Sequence, residues 1–167
     1  MANLVQIVPY DPAWPDEFEA EKRQLEPVLA PWLAGGIHHI GSTSVPGLGA
    51  KPVIDILAEV RSLEESRAAI EPLQELSYWW APYKTELMNW FCKPSPEDRT
   101  HHLHLVVPGS PRWREELAFR DALRSTPQTA RAYEELKHRL AAEHALDRET
   151  YTIAKTEFVE AVLARVL

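Results

Sequence analysis

Large apolar side chains recur along this chain in two rhythms, and the switches between them outline its elements. Trp14, Phe18, Leu25, Val28, Leu29 and Trp32 return at helical spacing. This predicts an amphipathic helix that starts at Asp11-Pro12 or at Pro15 and is ended by Gly35-Gly36. Before it, 5–8 reads as strand-like; after it, 37–40 reads as a short strand. Across 53–60 the period falls to two, so that Ile54, Ile56, Ala58 and Val60 share one face and Asp55 takes the other. Ser62 with Glu65 reads as a capping box opening a helix to about Leu76. The aromatic-rich stretch 77–93 predicts one or two strands, PSPEDR a turn, and 100–107 a further strand. Three helices follow, opened by Ser110-Pro111, by Thr126-Pro127 and near Asp147, each with its own apolar stripe. The order predicts an α+β fold: a mixed β-sheet with an N-terminal helix, a crossover helix and a three-helix C-terminal segment.

Length and composition narrow this. With 167 residues, 45% of them hydrophobic, one domain is expected, 1–108 carrying the sheet and 109–167 a helical tail packed on it. No apolar run approaches the roughly 18 residues of a membrane span, and the first residues lack a signal-peptide pattern, so a cytoplasmic protein with no membrane partner is expected. The single cysteine, Cys92, excludes an internal disulfide. A net charge of −7 argues against nucleic acid as a partner. The balance is uneven: residues 99–140 hold 8 basic and 5 acidic side chains, and this local excess can steer a small anion.

Candidate chemistry concentrates in 37–57. Gly41 offers backbone free of Cβ hindrance, and Ser42, Thr43 and Ser44 follow with hydroxyls. Pro46, Gly47, Gly49 and Pro52 keep the connection irregular, Lys51 ends it as a point charge, and the next strand delivers Asp55 beside it. The alternative reading is a solvated turn with Asp55 on an exposed strand face. Along 100–107 the parity puts His102 and His104 together, opposite Leu103, Leu105 and Val107. If the leucines face the core, both histidines lie on the face of Asp55, and the three can converge on a divalent ion. A carboxylate plus imidazoles suits Mn²⁺, Zn²⁺ or Ni²⁺, whereas Mg²⁺ wants more oxygens. His39 is a weaker metal candidate from the strand before the turn. Glu59 shares the parity of Asp55 but lies roughly 13 Å along the strand, and reads as a solvated charge. Cys92 with the nearby histidines lacks the second cysteine of an ordinary structural zinc site. The tail adds Arg120, Arg124, Lys137 and Lys155 as candidate phosphate contacts, with Arg120-Asp121 local pairing as the alternative.

These residues match a family. GSTSVPGLGAKPVIDIL, HHLHLVV followed by PGS, LAFRDALRSTP and RETYTIAKTEFV together resemble the GrpB family, also catalogued as the uncharacterised family UPF0157, over nearly the whole chain. The resemblance implies a nucleotidyltransferase-like fold, with a Gly-Ser turn for a triphosphate and two or three carboxylates for two metal ions. Gly41 and Ser42 match the turn and Asp55 one carboxylate. Val53 and Leu57 occupy the positions of its partner, and histidine stands where the third acid is expected. The implied function is therefore a nucleotidyltransferase-like protein that binds a nucleotide or phosphorylated small molecule and transfers a nucleotidyl group with one divalent metal (Mg, Mn or Zn) or none. The alternative is a non-catalytic phosphate-binding or scaffold module, as in relatives fused to dephospho-CoA kinase domains. Fold alone does not decide between them.

Overall fold

The computed structural model describes residues 4–167. Its elements run α1 (Trp14–Leu29), β1 (Leu33–Ile40), β2 (Ile54–Val60), α2 (Leu63–Ser66), α3 (Ile70–Gln74), β3 (Trp79–Ala81), β4 (Asn89–Pro94), β5 (Arg99–Val106), α4 (Pro111–Ser125), α5 (Pro127–Glu143), α6 (Arg148–Ala154) and α7 (Thr156–Val166). The strands form one mixed sheet in the order β1-β2-β5-β4-β3. Only β2 and β5 are parallel neighbours; the other pairs are antiparallel.

Period two sorts the side chains onto two layers. Ile37, Ile54, Ile56, Ala58, Phe91, Leu103 and Leu105 pack against Trp14, Phe18, Leu25 and Leu29 of α1. On the opposite face a smaller core joins Ile40, Leu57, Met88 and Val106 to Trp113 and Leu117 of α4. One buried charge locks α1 to the sheet: Glu21 accepts the Tyr78 hydroxyl at 2.8 Å and pairs with Lys93. The helical tail builds further cores from Leu123, Tyr133 and Phe158 around Val45 and Leu48, and from Leu140 and Tyr151 around Val5. Among the described residues no helix is long and apolar enough to cross a membrane.

Four boundaries differ from the sequence expectations. The first helix ends at Leu29, ahead of Pro31, and Gly35-Gly36 fall inside β1 at a register irregularity rather than ending the helix. Glu59 accounts for Gly35, where a Cβ would stand 1.8 Å from its carboxylate, and the neighbouring Gly36 main-chain N–H donates to the same group at 3.1 Å. Ser62 does cap the next helix, accepting from the Glu65 N–H. That helix then breaks through a 3₁₀ turn at Arg67–Ala69 ahead of Pro72, which has no N–H to continue the ladder. Residues 5–8 form no strand; Val8 makes a single bridge to Ala50. The last predicted helix is two, divided at Lys155.

Candidate functional site

Gly41 opens the turn out of β1 and lies directly against Asp55. Its φ is +72°, and a Cβ there would stand 2.5 Å from Asp55 Oδ2, so backbone and space both require glycine. The three hydroxyls that follow part company. Thr43 is buried, with its hydroxyl between His39 Nε2 (2.9 Å) and the Val53 carbonyl (3.3 Å), and the Ser44 hydroxyl donates to the Gly41 carbonyl. Both hold the turn's own shape instead of facing a ligand. Ser42 stays half-buried beside Tyr133.

The parity argument brings Asp55, His102 and His104 together. Register pairs Asp55 with His102 and Leu57 with His104 across parallel strands. His102 Nδ1 lies 3.0 Å and His104 Nε2 3.6 Å from the same oxygen, Asp55 Oδ1. Burial works to raise the Asp55 carboxyl, but the His102 hydrogen bond and the closeness of both imidazoles win and hold it far below the usual carboxylate range. Burial lowers His102, with Asp55 opposing. A neutral His102 thus donates Nδ1–H to the carboxylate, and its Nε2 finds no partner among the described residues. His104 Nδ1 meets Met88 Sδ at 3.3 Å. His39 is not part of this group: it pairs with Ile56, points to the α1 side, and stacks on Phe18 at 4.9 Å. Burial, aided by Arg124 and Arg120 and opposed by Asp55, lowers its pKa to about 4.

Two lysines lie within electrostatic reach of the carboxylate. Lys51 Nζ sits 5.0 Å and Lys155 Nζ 4.6 Å from the centroid of the same buried Tyr151 ring. Burial first, then the Lys155 charge, lowers Lys51 to about 8, with Asp55 opposing. Burial likewise lowers Lys155. Neither lysine has a carboxylate within ion-pair distance among the described residues. Lys51 and His102 line a cleft of about 400 Å³ between the segment 4–6, residues 51–53 and the first turns of β5 and α6, where Arg99 and Arg148 also stand.

The remaining candidates serve the turn from outside. Arg120 donates to the His39 carbonyl (3.2 Å) and to Asp121 (2.9 Å), so the pairing with Asp121 is present and the guanidinium is not directed at the cleft. Arg124 holds the Ser44 carbonyl at 2.9 Å, and Lys137, fully buried, donates to the Gly49 carbonyl at 2.6 Å. Glu134 accepts the Gly49 N–H at 2.6 Å. Glu59 is no solvated charge: it accepts from His38 (2.6 Å), Trp113 (3.1 Å) and Gly36. Sequence reasoning missed Arg99, Arg148 and Tyr151. Only Tyr151 carried a signal, lying four residues before Lys155 in RETYTIAK.

The donor set does not fit a preassembled metal centre. Among the described residues no group of three or more His, Cys, Asp or Glu side chains is placed to hold an ion. Both histidines aim at one carboxylate oxygen, and His39 faces away.

A family model described as GrpB protein matches residues 4–165. A UPF0157 protein of Pseudomonas aeruginosa is 43% identical over 171 residues, which cover 99% of this chain and 69% of that protein. A UPF0157 protein of Bacillus subtilis is 36% identical over 156 residues, 93% of this chain but 45% of that protein. The crystal structure of the conserved protein GrpB from Enterococcus faecalis is similar to the present structure with a TM-score of 0.87 at 31% identity, over 96% of each chain.

Proposed function

The chain belongs to the GrpB family, and we propose that it binds a phosphate-bearing small molecule, a nucleotide or another phosphorylated metabolite, in the cleft beside Asp55. One observation carries this reading: two half-buried lysines, both within electrostatic reach of Asp55, share the Tyr151 ring with no acid in ion-pair contact among the described residues. Ammonium groups taken from water without counter-ions are costly, and a bound anion returns that cost as affinity. The aromatic ring offsets part of it in the empty site. Asp55, held ionised, is a poor proton acceptor at neutral pH; its part is to fix His102 and to balance Lys51 and Lys155. Ser42 supplies the one turn hydroxyl that turns out of the bend, toward Tyr133.

Calorimetry with ATP in EDTA is the test. Binding is expected, with Lys51→Ala and Lys155→Ala each weakening it about tenfold, the scale of a lost hydrogen bond to a charged group. Full affinity in both variants would end the proposal.

A second reading, binding without group transfer, is favoured by the poor fit of the donor set to a metal centre. Incubation with radiolabelled nucleoside triphosphates and Mn²⁺ separates the two. Label incorporation that Asp55→Asn abolishes supports a transferase, and saturable binding without incorporation supports the module.

A further inference from the structure

The cleft has a second cationic end that this reading leaves unused. Arg99 opens β5 and Arg148 opens α6, and both turn to the Pro96 carbonyl, at 2.8 Å and 3.5 Å. One carbonyl oxygen cannot occupy two guanidiniums that carry five N–H donors each. Neither arginine has a carboxylate within ion-pair distance among the described residues. Arg99 Cζ lies 5.2 Å from the centroid of the Trp90 ring, and the His102 ring centroid lies 5.1 Å from that of Trp90, which ties this end to Asp55.

Both guanidiniums repel Lys51 as well as each other. Lys51, Arg99 and Arg148 line the same cleft, where Asp98 is the one lining carboxylate and Cys92 and Glu97 offset part of the Arg99 charge. So many like charges raise the free energy of an empty cleft, and an anion relieves it. A volume near 400 Å³ is in the range that encloses a whole small molecule rather than one tetrahedral anion.

We propose that Arg99 and Arg148 form a second anion subsite, and that the ligand carries at least two linked phosphoryl groups, one at Lys51 and Lys155 and the next at the guanidinium pair. This rests on the phosphate reading above. Planar forks suit the successive oxygens of a diphosphate better than ammonium groups do, which accounts for arginines at one end and lysines at the other.

The experiment compares orthophosphate, pyrophosphate and tripolyphosphate by calorimetry in EDTA, using the full chain. Pyrophosphate is expected to bind at least tenfold more tightly than orthophosphate. In Arg148→Gln the pyrophosphate-to-orthophosphate affinity ratio is expected to fall at least fivefold, with Arg99→Lys, which keeps the charge and loses the fork, falling between. Thermal melting checks that each variant is folded. Equal affinities for the two anions in the unaltered protein, or a ratio unchanged in folded Arg148→Gln, overturns the subsite while leaving the phosphate reading standing. Failure of all three anions to bind overturns the phosphate reading itself.

Discussion

The depressed Lys51 ammonium makes anion affinity dependent on pH in a calculable way. Burial costs its charge most, the Lys155, Arg148 and Arg99 charges add to that, and Asp55 opposes them, leaving a pKa of about 8. At pH 7 about nine molecules in ten then carry the proton, and at pH 9 about one in ten. If the anion needs the charged form, affinity falls roughly tenfold between these values, or about 1.4 kcal/mol. Phosphate esters, with a second pKa near 6, are already about nine-tenths doubly ionised at pH 7, so the ligand adds little to the slope. Binding at pH 8 must also recruit the missing proton, about half an equivalent. Calorimetry at pH 8 in two buffers of different ionisation enthalpy measures that uptake, and a pH series from 7 to 9 measures the slope. Lys155 and Lys137 also titrate low, so the decisive comparison is with Lys51→Met, in which the slope and the uptake should both shrink. A flat affinity from pH 7 to 9, or an uptake identical in Lys51→Met, would refute the reasoning.

Three further outcomes are expected. Gly41→Ala forces a Cβ against Asp55 Oδ2 at positive φ, and should cost about 1–3 kcal/mol in denaturant unfolding and abolish ATP binding. Glu59→Ala leaves the half-buried Trp113 indole N–H without its acceptor and should destabilise by about 1–2 kcal/mol; a melting temperature within a degree of the parent would count against the assigned bond. Lys137 holds its proton only to about 7 when folded, against 10.5 when unfolded, so folding releases a proton between those values and stability climbs with pH across that window. The parent should therefore gain on Lys137→Met in melts run from pH 7 to 10, and parallel pH profiles would be the contrary result.

Period-two alternation made much of the geometry readable. With the more apolar faces of 53–60 and 100–107 turned to one core, Asp55, His102 and His104 share the other side, as found. His39 misled because a residue one step from a turn reads equally well to either side; its pairing with Ile56 puts it among the core residues. The hydroxyl run misled because adjacent residues on a 3₁₀ turn diverge, so Thr43 and Ser44 close the turn internally while Ser42 does not. Gly35-Gly36 resembled a helix stop, yet what they accommodate is a carboxylate 23 or more residues later, a contact no local pattern announces. Arg99 and Arg148 are brought together by tertiary folding alone, and isolated arginines leave no periodic trace.

Arg120, Arg124, Glu134 and Lys137 all reach from α4 and α5 to backbone groups between His39 and Gly49. The C-terminal helices are therefore a mould for the glycine bend, not ballast hung on a finished sheet. A fragment cut after Val107 would keep every strand and lose the clamp that shapes its mouth. Any transplant of this cleft into another scaffold has to carry those four side chains with it.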